Sequence, residues 1–373
     1  MKKSAMALTL ALAVACTGVG CGKRQQRQLE QLGVISAISY DKGDQENILG
    51  SVVIPNFTET GQEKIDVLTG RGATSKELRF NLSRMSERKL VSGQIRVVLY
   101  GEKLAKSGIM PYSDTLFRDV EIGSQIDLAV TDGRAMDFFT KRYPDKPSVD
   151  IYLYRMLRKE TEQHTLPKTN LYHFLHDVYD HGRDPVLPYL RLGKEDVIVD
   201  GVAVFRDDVM VGRLDPEETR MLSYLQGGAA LGEVDFKLEE KNQTGEQVHA
   251  VIMYMDFKRK VDISEKQGHP IFNLKFAIQG AISEYSGDAD LEQEPNLRKL
   301  ETALKSKLER SMSGVLRKLQ QEYRSDPLGL MELYRSKGFV TDEEEPKRLS
   351  ELYSKAELQV KVEVTVLQTG MIH

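Results

Sequence analysis

Two groups of residues in this 373-residue chain have the types and spacing for chemistry. The first is a thiol. The chain has 2 cysteines, Cys16 and Cys21, and both follow the apolar stretch that runs from Ala5 to Ala15 behind Lys2 and Lys3. Gly18-Val19-Gly20 puts small residues directly before Cys21, as lipoprotein signal peptidase requires. That thiol would take diacylglycerol, and cleavage would leave Cys21 as the new N-terminus. Cys16, preceded by Ala13-Val14-Ala15, is a rival acceptor. The second group is a histidine helix. His173 and His176 are spaced to share one helix face, with Asp177, Asp180 and His181 nearby. Such a cluster invites a metal reading, but no His-Glu-x-x-His pattern supplies a zinc base. Leu171, Phe174, Leu175 and Val178 form an apolar stripe on the same stretch, so it reads as a core-packing helix without a metal.

The address precedes everything else. The apolar run is too short for a bilayer core, which needs about 20 residues, and its basic lead-in fits a signal peptide spanning residues 1–20. Two acyl chains on Cys21 suffice for stable anchoring where one would be marginal. With no cysteine after Cys21, the exported body has neither disulfides nor a cysteine metal site and rests on its core alone. A hydrophobic content of 40% and a charged content of 29% are ordinary globular values. A net charge of −4 gives no footprint for nucleic acid. Nucleophile elbow and phosphate-loop patterns are absent, and Gly227-Gly228-Ala229-Ala230-Leu231-Gly232 follows a helix where a dinucleotide loop must follow a strand.

The elements that carry these residues fall into two regions, 21–195 and 196–373. In the first, Leu32 to Tyr40 and Ile48 to Phe57 read as a hairpin, with Pro55 marking an edge position. Thr74 and Glu77 start a helix that reaches about Arg88. Strands at 94–100 and 126–130 flank short helices at 102–106 and 111–118, a mixed α/β order. The proline-rich middle, 140–193, reads as irregular apart from the helix at 170–179. In the second region, Asp196 to Phe205 reads as a strand pair or a single strand bent at Gly201, the chain returns through Val209 to Gly212, and Asp215-Pro216 opens a helix closed by Gly227. Apolar alternation at Val234–Leu238, Val248–Lys260, Phe272–Ile278 and Leu358–Val366 predicts an antiparallel sheet with one wet face. A helix from Pro295 to Arg324, with Leu297, Leu300, Leu304, Leu308, Ser311, Val315 and Leu319 as its stripe, covers the other face. The fold class is α+β: mixed sheets in several domains, ending in a two-layer domain.

Several segments together resemble the Ger(x)C spore-germination lipoproteins. They are Gly20-Cys21, Leu29-Glu30-Gln31-Leu32-Gly33, Ala37 to Asp41, Gly72-Ala73-Thr74, Leu90 to Tyr100, Glu102 to Gly108 and Leu116-Phe117-Arg118-Asp119. Later, Gly280-Ala281-Ile282-Ser283-Glu284 is similar to the family's Gly-x-Ile-x-Glu step, and Asp326 to Gly329 to its Asp-x-x-Gly step. Their collinear order is the specific part. Where the family usually has Trp-Asp after the lipidated cysteine, this chain has Gly22-Lys23, and it has no tryptophan. The resemblance selects Cys21 over Cys16 as the acylated residue. It implies a non-enzymatic, cofactor-free C subunit of a nutrient germinant receptor. Its implied partners are integral membrane A-type and B-type subunits, and its implied place is the outer face of the spore inner membrane. Glu284 reads as an exposed acid near a strand end. The competing reading is a lipid-anchored extracytoplasmic solute-binding protein or envelope enzyme.

Overall fold

The computed structural model of the chain describes residues 31–44, 47–57, 63–180, 182–228, 233–340 and 346–369. Cys16, Cys21, His181 and residues 229–232 of the glycine-rich loop lie outside them. The apolar stretch Leu32 to Tyr40 is two strands, β1 (Leu32–Val34) and β2 (Ala37–Lys42), instead of one. The chain changes partners between them: Ile35 N donates to Val91 O, whereas Ser36 N donates to Val53 O. β3 (Ile48–Phe57) forms the expected hairpin with β2. Pairing with β2 stops at Val53, so Pro55 has a strand on one side only, where its missing N–H costs nothing. β4 (Glu63–Gly72) extends the hairpin to a third strand that the sequence pattern did not reveal.

α1 (Ser75–Met85) begins as its chemistry dictates: Thr74 accepts from Glu77 N, and the Glu77 carboxylate accepts from Ala73 N. It ends at Met85, short of Arg88, and Met85 itself is exposed while Leu78 and Leu82 are buried. The helix lies close on the strands because Gly50 has no side chain; a Cβ there would sit 2.2 Å from Leu78 Cδ2. Next come β5 (Lys89–Val91), β6 (Val97–Gly101), α2 (Glu102–Ala105), α3 (Met110–Phe117) and β7 (Asp127–Thr131). The proline-rich middle is more regular than its composition implies. It holds α4 (Met136–Thr140), α5 (Val149–Glu162), α6 (Leu171–Tyr179) and β8 (Val186–Leu192). Its prolines stand in the links between elements and at a strand bulge, not inside helices.

β9 (Val197–Arg206) is one strand bent at Gly201, whose φ of 95° and contact with Leu214 O exclude a side chain. It pairs with β10 (Val209–Leu214). One sheet of eight strands results, in the order β10-β9-β8-β7-β6-β2-β3-β4. β2, β6, β7 and β8 run parallel in its centre. Every residue of β6 is buried, as a parallel strand covered on both faces should be. Alternate residues serve two cores. Val98 and Tyr100 pack with Leu78, Leu116 and Phe174 on one side, while Val97 and Leu99 pack with Phe138, Leu153 and Leu222 on the other.

α7 (Pro216–Gln226) carries a full capping box from Asp215 and Glu218 and stops at Gly227 with a φ of 92°. The second sheet orders β11 (Glu233–Lys241), β12 (Gln247–Lys266), β13 (His269–Tyr285) and β14 (Glu357–Thr369) side by side. The first three are antiparallel, but β14 is parallel to β13, so the sheet is mixed and not purely antiparallel. The cause is the long crossover between them. It contains α8 (Glu294–Arg317), a π-helical turn at Lys318–Tyr323, α9 (Leu330–Ser336) and α10 (Pro346–Lys355). α8 buries Leu300, Leu304, Leu308, Met312 and Val315 against the sheet; Met312 takes the inward place that the spacing assigned to Ser311. Among the described residues, no helix is long and apolar enough to cross a membrane.

Candidate functional site

Ligands of open α/β sheets sit beyond the carboxyl ends of parallel strands, where strand order switches direction. Here the switch falls at β2, which has β3 on one side and β6 on the other. The chain fills that crevice with its own carboxylate. Asp41, 3% exposed, accepts from Ala135 N at 2.7 Å and Met136 N at 2.9 Å. Burial pushes its pKa up and the two amides pull it down. Gly101 must lack a side chain, since a Cβ would meet Asp41 Oδ1 at 2.1 Å. The crevice is thus a packing device.

The Arg118-Asp119 step is likewise engaged in ion pairs. Arg118 Nε bonds Asp114 Oδ2 at 2.6 Å, which holds the Asp114 carboxyl below its ordinary range, and Asp119 pairs with Arg79. These charges rim a cavity of about 510 Å³ between α1 and α3, floored by Ile38, Val52, Leu78, Leu82 and Leu116.

The densest polar constellation joins the two regions. Asp184 accepts from Asp207 N at 2.9 Å and from Asp326 N at 2.7 Å, and its own N–H donates to Asp326 O. Ser325 Oγ donates to Phe205 O at 2.6 Å. Asp326 Oδ2 accepts from Met331 N at 2.9 Å, which orders the chain into α9, and Glu332 N donates to Gly182 O. Arg335 bonds Asp180 at 2.5 Å. The clasp therefore ties the stretch 180–185, the β9–β10 turn and the segment after the π turn. Burial pushes the Asp184 carboxyl up to about 6 and that of Asp326 up to about 7; the Asp184 charge adds to the second shift. The sequence marked Asp326 through its Asp-x-x-Gly step. Asp184 had only the turn-forming Asp184-Pro185 pair to announce it.

The histidine helix lies against this clasp. Asn170 caps α6, accepting from His173 N at 2.9 Å and lying 2.8 Å from His173 Nδ1. His176 Nδ1 is 3.2 Å from Asp177 Oδ1. Asp177 also faces Arg183 at 3.7 Å, and Asp180 is taken by Arg335. The carboxylates beside the histidines thus already face cations, and among the described residues no three metal-ligating side chains converge. Leu171, Phe174 and Leu175 are buried, as the apolar stripe required. Glu284 is exposed on β13.

Among the described residues this is an α+β protein of three sheets, with two, eight and four strands, whose regions interlock through buried carboxylates. Residues 25–192 match the spore germination protein N-terminal domain family, and residues 200–370 match the spore germination B3/GerAC-like C-terminal family. The chain belongs to the GerAC-like family of spore germination proteins. It is similar to spore germination protein GerQC of Bacillus cereus, with 24% identity over 353 residues covering 95% of this chain and 96% of the relative. It is also similar to the putative spore germination protein YfkR of Bacillus subtilis, 22% identical across 100% of this chain and 99% of the relative. The crystal structure of the GerBC protein shares the fold, with a TM-score of 0.55 and 19% identity over 88% of this chain and 96% of that one. The protein acts in spore germination, and its family is not one of enzymes.

Proposed function

We propose that this chain is a lipid-anchored subunit of a spore nutrient germinant receptor, working by assembly and not by catalysis. Diacylglyceryl-modified Cys21 holds the body at the outer face of the spore inner membrane, where its surfaces dock integral membrane A-type and B-type subunits. The proposal treats 21–195 and 196–373 as two regions that share the eight-stranded sheet through β9 and β10. The observation that carries this reading is the pair of collinear family matches, which together span nearly the whole body after Cys21. The sequence before them, with a basic lead-in, an apolar run and small residues ahead of a thiol, supports the anchor. Membership in a germination family removes the support for an envelope enzyme. Deleting the gene in its sporulating host tests the role. The mutant spores should lose germination on at least one nutrient class, with restoration by the intact gene. Unchanged germination on amino acids, sugars and nucleosides, in a strain also lacking paralogues, contradicts it.

A further inference from the structure

A cavity of about 330 Å³ opens where α6 and the segment before it meet α7 and Pro327. It has room for about ten waters at roughly 30 Å³ each. Its walls come from both family-matched regions: Lys168, Thr169, His173 and Arg183 from the first, Ser223 and Gln226 from the second.

The hydrogen-bonding inventory of these walls is unbalanced. Ser223, 3% exposed on α7, has an Oγ without a hydrogen-bond partner among the described residues. So does the buried Thr169 Oγ1. Arg183 Nε makes no hydrogen bond among the described residues and stands 3.7 Å from Asp177. Arg259, whose Cδ lies beside Gly227, has Nε and Nη2 without a hydrogen-bond partner among the described residues. A buried donor without an acceptor is costly, and such groups mark a place where something else belongs. The acids in the wall do not offset them. Both Asp184 oxygens accept backbone amides, and Asp177 faces His176 and Arg183. Asp326 Oδ1, a buried acceptor, also lacks a hydrogen-bond partner among the described residues, and its charge opposes those of Arg183 and Arg259. On the cavity wall itself, the groups left without one are the Ser223 and Thr169 hydroxyls and Arg183 Nε. The proton affinity of His173 agrees: burial lowers it, and the Lys168 and Arg183 charges lower it further against the opposing pull of Asp177.

We infer that this cavity binds a small molecule bearing an oxyanion, a carboxylate or a phosphate, held by Lys168 and Arg183 and hydrogen-bonded by Ser223 and Thr169. Charge-assisted bonds from a guanidinium and hydroxyls suit either group. Bound there, the anion would brace the two regions beside the Asp184–Asp326 clasp.

Calorimetry on the full chain in detergent micelles tests this. Sodium phosphate and sodium succinate are titrated separately at constant ionic strength in chloride. At least one should bind saturably, and which one does so separates phosphate from carboxylate chemistry. Lys168→Met, at an exposed position whose loss should leave the fold intact, should weaken that binding about tenfold. Ser223→Ala should weaken it several-fold. Asp177→Asn, which removes a nearby negative charge, should tighten it. Absence of saturable heat with both anions overturns the inference, as does an affinity unchanged in both Lys168→Met and Ser223→Ala. Saturable zinc binding lost in Asp177→Asn would instead assign the site to a cation.

Discussion

Asp184 and Asp326 show how single residues set the behaviour of the junction. Their carboxyls titrate near 6 and 7, above the ordinary value of about 3.9. The folded state therefore holds protons more tightly than the unfolded chain. Their contribution to stability is fully present below about pH 4 and declines as pH rises through about 6 to 7, levelling off above. The double variant Asp184→Asn/Asp326→Asn should lose much of that decline, read as the urea midpoint of the full chain from pH 4 to 8. An unchanged slope would show that the pair does not couple folding to pH. Asp41 makes a second prediction at this scale. Asp41→Ala strands the buried Ala135 amide and the half-buried Met136 amide and should cost about 1–3 kcal/mol for the first and less for the second, seen in the same denaturation experiment. The sequence showed Asp41 as the end of the family-like segment Ala37 to Asp41. Its role was illegible because the amides that it binds lie more than ninety residues downstream.

Elements with local start and stop chemistry were the ones the sequence revealed. Thr74, Asn170 and Asp215 each accept a hydrogen bond from the amide three residues on, and Gly227 closes its helix. Elements defined by distant partners were hidden. β4 carries two glycines and becomes a strand only by lying along β3, and β1 is cut from β2 by a switch of partners. β14 alternates like an antiparallel strand, yet its direction is set by the crossover before it, and side-chain alternation carries no information about direction. α8 keeps a four-residue step from Leu300 through Met312, where the sequence reading changed to a three-residue step at Ser311. Met312→Ala should destabilise the full chain by about 2–5 kcal/mol, as large-to-small changes in a core do. Ser311→Ala should stay within about 0.5 kcal/mol. Equal effects on the urea midpoint would mean that the face of α8 is misplaced.

At the scale of the whole molecule, the family order of segments was legible from residue 20 onward, because collinear short motifs survive where pairwise identity is about a quarter. The interlock was not, since it joins residues 142 positions apart through a backbone amide that any residue but proline could supply. Cys21→Ala should move the protein from the membrane to the soluble fraction of broken spores. Quantitative retention would show that protein partners alone hold it there. Assembly is tested by purifying the tagged full chain from detergent-solubilised spore inner membranes, with mass spectrometry of what accompanies it. Two polytopic membrane proteins in near-stoichiometric amounts are the predicted result. Recovery of the tagged chain alone, from membranes whose germination response is intact before solubilisation and under crosslinking that captures other receptor contacts, would contradict it.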